Sequence, residues 1–278
     1  MENNRNMRKT EKIIDKIYAE SEVKESGYVM PSPHCHPYFE LFYIENGVCR
    51  FFIKNNMYDM HTGDFMLIPP QMFHYTRYLF GDCKRSVVFF RKEDIAEPVK
   101  QLLSQQTDFF SEMRIFQVPE VYQEQITALL LQMVKEEKIG DERSPLMLQT
   151  LLQELFLLCS RECIFPQDIL PNIHTTDRQI VQAAQFISSH YMEHITTADI
   201  ARAADYSPNY LSRKFREAAG IGVHEYLLFI RLRHAALELL ATDDSVTEIA
   251  LRCGFSDGNY FKDAFKKKYG ITPRAYRK

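Results

Sequence analysis

The strongest constraint on the fold of this chain is a phrase that it uses twice near its end. The run "IARAADYSPNYLSRKFREAAG" at residues 200–220 returns, about fifty residues later, as "IALRCGFSDGNYFKDAFKKKYG" at residues 249–270. Ile200-Ala201 meets Ile249-Ala250, and Tyr206-Ser207 meets Phe255-Ser256. After one extra residue in the second copy, Asn209-Tyr210 meets Asn259-Tyr260 and Phe215 meets Phe265. Gly220 with Gly270 and Tyr226 with Tyr276 extend the match. So dense an alignment is a structural repeat, and each copy predicts two short helices joined by a tight turn. The first helix opens on a capping box, Thr196 with Asp199 or Ser245 with Glu248, in which a hydroxyl and an acid satisfy free N–H groups of the first turn. It ends where a left-handed residue is wanted, at Asp205 in one copy and Gly254 in the other. Ser207 and Ser256 stand where they would cap the second helix, and Pro208 takes its first position, where a missing N–H costs nothing. Two helices meeting in this way make a helix-turn-helix.

On the second helix of each copy the apolar residues form one stripe, Leu211 with Phe215 and Phe261 with Phe265. That turns Asn209, Ser212, Arg213 and Arg216 outward in the first copy, and Asn259, Lys262 and Lys266 in the second. Amides, hydroxyls and cations are what base edges and phosphates require. On a single helix such a face serves solvation as readily as recognition. Its recurrence at matched positions, beside a basic terminus, argues for double-stranded DNA. Between the copies no helix breaker follows Gly222, and Leu228, Leu232, Ala235, Ala236 and Leu239 keep helical spacing. A helix of some 18 residues is about 27 Å long. Such a rod can hold two recognition helices roughly one DNA turn, about 34 Å, apart. Two readers in fixed register roughly add their free energies, which is a reason to have the phrase twice.

The overall charge of −3 hides an asymmetry. Residues 177–278 hold 15 Lys+Arg against 12 Asp+Glu, and residues 1–176 hold 19 against 25. From Ser256 onward there are seven basic residues (Lys262, Lys266, Lys267, Lys268, Arg274, Arg277 and Lys278) and two acidic ones. A local basic patch on a mildly acidic chain attracts phosphate to one face only. No run approaches the ~18 apolar residues of a membrane helix. The opening "MENNRNMRKTEK" has no apolar stretch behind it to make a secretory signal. No membrane partner and a cytoplasmic location are therefore expected. The six scattered cysteines fit buried, reduced thiols. A length of 278 residues suits two domains.

The span from about residue 177 to the end resembles the C-terminal DNA-binding domain of the AraC/XylS family of transcription regulators, most closely in "EIALRCGFSDGNYFKDAFKKKYGITPRAYR". By motif position the resemblance puts base contacts on Asn209, Ser212 and Arg213 in the first recognition helix and on Asn259, Lys262 and Asp263 in the second. Asp263 departs from the Arg often found there, and an acid cannot approach phosphate.

The first half reads differently. Between residues 38 and 90, aromatic and β-branched runs ("FELFYIENG", "CRFFIKNN", "DFMLIPP", "SVVFF") alternate with Asn46-Gly47, Asn55-Asn56 and Thr62-Gly63-Asp64, which predicts an antiparallel β-barrel or sandwich with a hairpin at Asn46-Gly47. His34-x-His36-x-x-x-Glu40, with Gly47, then Gly63, Pro69 and His74, resembles the two cupin motifs. This implies the jelly-roll, sugar-sensing domain of many AraC-type regulators. Gln71 stands where that motif usually has Gly, and Tyr78 where it often has Asn. His34, His36, Glu40 and His74 are the positions that hold metal in cupin enzymes. Alternation along a strand would put His34, His36 and Glu40 on one face. Here they are expected to line an effector pocket, with no metal and no cofactor. Helical stretches follow at residues 93–106, 120–138 and 145–163. In the last, Leu148, Leu151, Leu152, Leu155 and Leu158 spread over more than one face, so packing on the barrel and on a partner subunit is expected.

The expected fold class is thus α+β: a cupin-like, jelly-roll barrel with dimerisation helices (1–165), a linker (166–176) and an all-α domain of two helix-turn-helix motifs joined by a linker helix (177–278). The expected function is sequence-specific transcription regulation by a homodimer under a small-molecule effector such as a sugar, with no catalysis. The rival is a metal-dependent cupin enzyme fused to a DNA-binding tail.

Overall fold

The computed structural model describes residues 16–30, 34–78, 81–104, 109–165 and 178–277. The chain divides into two compact units, Met1–Asn172 and Ile173–Lys278. The expected linker, 166–176, lies outside the described residues, as does Asp177.

The first unit is built on two antiparallel sheets. β1 (Tyr18–Lys24), β7 (Cys83–Phe90), β2 (Phe39–Asn46), β5 (Asp64–Ile68) and β8 (Arg114–Gln117) lie side by side in that order. β4 (Asn56–His61), β3 (Val48–Ile53) and β6 (His74–Arg77) make the second sheet. The long sheet is covered on both faces. Phe39, Leu41, Tyr43, Phe65, Leu67, Val88 and Phe90 pack with residues of α2 (Glu120–Ile139) and α3 (Ser144–Glu162). Phe42, Ile44, Met66, Ile68 and Val87 pack instead with Cys49, Phe51, Ile53, Tyr58 and Met60 of the short sheet. Burial on both faces is why β2 is apolar almost throughout rather than alternating.

Asn46-Gly47 is not a hairpin. β2 and β3 belong to different sheets, and the chain turns a corner there, with Gly47 at φ 100° and so close to Asp82 that a Cβ would lie 2.7 Å from its carbonyl oxygen. The tight hairpin is one step later: Lys54 and Asn55, both at positive φ (49° and 62°), join β3 to β4 as a twist-matched two-residue turn. The helix expected at 93–106 is shorter: a 3-10 turn at Lys92–Asp94 and α1 (Glu97–Leu103). In α3, Leu148, Leu151, Leu152 and Leu155 are buried in the unit's own core and Leu158 packs partly against it. The apolar side chains left outside on this helix are Leu146, Met147 and Leu157.

The second unit is all helical: α4 (Arg178–His190), α5 (Thr197–Ala203), α6 (Pro208–Ala219), α7 (Val223–Ala241), α8 (Val246–Arg252), α9 (Gly258–Tyr269) and α10 (Pro273–Tyr276). Both capping boxes form, and Asp205 (φ 55°) and Gly254 (φ 84°) take the left-handed conformation. The caps of the second helices differ from the sequence reading. Ser207 is the N-cap of α6 but makes no side-chain bond, and in the second copy the extra residue hands the role to Asp257, whose carboxylate accepts from Asn259 N–H. The repeat extends to the cores: Phe215 and Tyr226 have ring centroids 5.3 Å apart, and so do Phe265 and Tyr276. The linker helix α7 gives Leu232, Ala235, Ala236 and Leu239 to the core of the second motif. Its Arg231 donates to the carbonyls of Tyr191 (2.7 Å) and Glu193 (2.8 Å), just past α4, so one guanidinium ties α7 to the end of the first helix of the unit.

Candidate functional site

His34, His36, Glu40 and His74 come together in the first unit, one ligand-type atom from each lying within 4.8 Å of all the others. The means differs from simple strand alternation. β2 begins only at Phe39, so His34 and His36 precede it, and His34 instead makes an antiparallel bridge to His74 at the start of β6. Gln71, at φ 59°, supplies the positive φ for which the resembling motif uses Gly, and its N–H donates to the His36 carbonyl at 2.8 Å. That turn clamps the histidine segment against the strand carrying His74. Tyr38 stacks on the His36 ring, centroids 4.4 Å apart and 4° from parallel.

The cluster is dry. His36, Glu40 and His74 are 2%, 5% and 1% exposed, and His34 is half-buried. Glu40 Oε2 is 2.9 Å from His36 Nε2 and 3.1 Å from His74 Nε2. The second contact is an ion-pair distance without the alignment of a hydrogen bond, so His74 Nε2 is a buried atom with no hydrogen-bond partner. Burial drives the Glu40 pKa upward, but the charge of His74 and the hydrogen bond from His36 outweigh it and hold the carboxyl well below its ordinary range. Burial, then the charges of Glu40 and Glu20, push Tyr38 up to about 12.

β1 brings polar residues to this face that the sequence reading did not find. Directly opposed residues of an antiparallel pair share a face, and Tyr18 opposes Phe89, Glu20 opposes Val87 and Glu22 opposes Arg85. Glu40 also opposes Phe89 from the other side. Tyr18, Glu20, Glu22, Arg85 and Glu40 thus line the inner face of the long sheet. Arg85 is held by Glu20 (3.1 Å) and Glu22 (3.2 Å) and lies over the Phe42 ring. The signal was present in "IYAESEVK", where Ile17, Ala19, Ser21 and Val23 alternate with Tyr18, Glu20, Glu22 and Lys24; without β7 beside it, nothing marks so polar a strand as a wall of the core.

In the second unit the helices α6 and α9 bury Leu211, Phe215, Phe261 and Phe265 and expose Asn209, Ser212, Arg213, Arg216, Asn259, Lys262 and Lys266. Arg213 lies over the Tyr210 ring and only 3.9 Å from Glu217, and Arg216 is 3.6 Å from Glu225, both loose contacts on solvated side chains. Other cations are committed to the fold. Arg252 pairs with Glu238 and Asp244, Arg277 donates to the Asp244 carbonyl, and Lys268 sits over the Phe229 ring. Tyr210 and Tyr260, 39% and 55% exposed at matched positions, also stand on these faces.

The model of the AraC-like ligand binding domain matches residues 21–156, and that of a helix-turn-helix domain matches residues 200–278. The chain belongs to the AraC-type family of helix-turn-helix transcription regulators. Among its relatives, the HTH-type transcriptional activator RhaS of Enterobacter sp. (strain 638) is 24% identical over 249 residues, 88% of this chain and 86% of that protein. An uncharacterised HTH-type transcriptional regulator of Staphylococcus aureus (strain COL) is 25% identical over 84% of this chain, which spans only 31% of that protein's length. ToxT of Vibrio cholerae is a similar solved structure, 15% identical with a TM-score of 0.37, covering 94% of this chain and 97% of its own. Among the described residues no helix is long and apolar enough to cross a membrane.

Proposed function

We propose that this protein is a cytoplasmic, sequence-specific regulator of transcription that acts by binding and not by turnover. Asn209, Ser212, Arg213 and Arg216 of α6 and Asn259, Lys262 and Lys266 of α9 read one duplex. A small polar effector binds the first unit at His34, His36, Glu40 and His74. The single observation that carries this reading is the matched pair of recognition helices, each apolar on its buried side and amide, hydroxyl and cation on its exposed side. The inner sheet face supports the effector reading. Acceptors at Glu20, Glu22 and Glu40, a donor at Arg85 and ring faces at Tyr18 and Phe89 suit a hydroxyl-rich molecule such as a sugar better than an apolar one. A homodimer formed through α3 fits the exposure of Leu146, Met147 and Leu157, 68%, 43% and 43%. Effector control requires that the bound molecule distinguish two arrangements of the protein.

A thermal-shift screen of the full chain against sugars and other small metabolites tests the effector, since a ligand at a hundred times its Kd stabilises by about 2.7 kcal/mol. DNA selected from random duplex by the protein should then show altered affinity when the hit is added. No selected sequence, or selection unchanged in an Asn209→Ala, Asn259→Ala double variant, would overturn the assignment of the reading heads.

A further inference from the structure

The two reading heads follow one plan and carry opposite charges at one of its outermost places. In α9, Asp263 stands two residues from each of the buried pair Phe261 and Phe265. At about 100° per residue that puts it about 160° round the helix from both. In α6 the same place, two residues from the buried Leu211 and Phe215, is held by Arg213. Both side chains are exposed.

Asn209 and Asn259 lie four residues before Arg213 and Asp263. Four residues advance a helix by about 6 Å and turn it by about 40°. Asn259 and Asp263 therefore face one strip of duplex, shorter than two base-pair steps of about 3.4 Å each. Their side chains are equally long, so a base edge within reach of one is within reach of the other. Among the described residues neither side chain makes a hydrogen bond or ion pair within the protein. For Asp263 this holds although Lys266 and Lys267 follow it at i+3 and i+4, spacings that favour an ion pair. Lys214 and Glu217 of α6 do pair at such a spacing, at 2.7 Å.

A carboxylate only accepts hydrogen bonds. Phosphate oxygens, guanine N7 and O6 and thymine O4 only accept as well, which leaves the amines of adenine and cytosine as donors in the major groove. On adenine the amine stands beside the acceptor N7, whereas cytosine presents its N4 amine with no acceptor of its own there. A carboxylate set against an acceptor inside an interface loses its hydrogen bonds to water and gains repulsion, so the wrong base is penalised as well as the right one favoured. We infer that Asp263 reads a cytosine, its carboxylate accepting from the N4 amine, where Arg213 in the first head donates to a guanine. This rests on the reading of α6 and α9 as the helices that enter DNA. The two heads then take unlike half-sites, and the chain lies on its site in one direction.

The test is selection from random duplex by the full chain, unaltered and as Asp263→Ala and Asp263→Asn. Titrations on the selected duplex and on its base-pair variants follow. The unaltered chain should favour a C·G pair over an A·T pair by about fivefold or more at one place in the second half-site. Asp263→Ala should erase that preference and leave the other positions as they were. Asp263→Asn is nearly isosteric and adds a donor, so it should move the preference at that place to an A·T pair. Far-UV circular dichroism checks that each variant is folded. Undiminished discrimination in Asp263→Ala, or a preference at the affected place for a pair other than C·G, overturns the inference and leaves the regulator reading intact. A gain in affinity equal for all sequences, with a salt dependence steeper by about one phosphate contact, also overturns it, because Asp263 then serves only to occupy a lysine. If the Asn209→Ala, Asn259→Ala double variant selects the same sequence as the unaltered chain, the reading heads themselves are misassigned and the inference falls with them.

Discussion

Two glycines of the second motif share a conformation and differ in their surroundings, which makes them a matched test of how the reading heads are held. Gly254 (φ 84°) and Gly270 (φ 76°) both lie in the left-handed region. An alanine there costs about 1 kcal/mol in conformation alone. At Gly270 a Cβ would meet nothing within 4 Å, so Gly270→Ala should stop near that figure. At Gly254 the Cβ would lie 2.5 Å from the Tyr191 carbonyl oxygen, 2.9 Å from Arg231 Nε and 3.0 Å from the Met192 carbonyl oxygen. A relaxed C···O contact is about 3.3 Å or more, so the Tyr191 carbonyl must retreat by nearly an ångström. That carbonyl is the acceptor of Arg231, and moving it loosens a bond worth roughly 1.5–3 kcal/mol because the donor is charged. Gly254→Ala should therefore destabilise the second unit by about 3 kcal/mol or more, and Gly270→Ala by about 1. Urea unfolding of the full chain, followed by far-UV circular dichroism, reads the helical unit. Equal losses in the two variants would refute the idea that Gly254, Tyr191 and Arg231 form one packed joint between α4, α7 and the second motif.

The DNA-facing assignment predicts that Arg213→Ala or Lys262→Ala weakens specific binding by about 1–3 kcal/mol; Lys268→Ala, whose ammonium sits over Phe229, should change it much less. Titrations at several salt concentrations should give a steep linear fall of log affinity with log salt, and a flat line would contradict a phosphate-binding face. Burial, with Arg233 adding to it, holds His234 below its ordinary value of 6.5 where it stacks on Tyr191. The fold accommodates the neutral ring, so this contribution to stability is complete above about pH 6.5 and is lost as pH falls from there towards the lowered folded value. Melting temperatures between pH 7.5 and pH 5 should fall less steeply in His234→Phe than in the unaltered chain; parallel curves would remove His234 from the account.

What the sequence determined by itself is the second unit. Its helices follow from contacts three to five residues long: capping boxes at Thr196 and Ser245, left-handed residues at 205 and 254, and a stripe of Leu211, Phe215, Phe261 and Phe265. Such local rules are written where they act, and the repeat states them twice. Even there, a single inserted residue moved the cap from Ser256 to Asp257. The first unit was legible as antiparallel strands but not as an arrangement, because sheet pairing joins residues far apart in the chain. Asn46-Gly47 has the chemistry of a hairpin and turns a corner between sheets, since β2 finds its partners in β5 and β7. The four residues of the cluster could be named from their resemblance to the cupin motifs. Only the tertiary structure decided that His34 reaches His74 through a bridge outside β2, and that the Nδ1 atoms of His36 and His74 are both committed to backbone carbonyls while their Nε2 atoms face Glu40. Hydrogen-bond direction depends on which backbone groups surround a ring, and those groups come from distant segments brought together by the packing of two sheets.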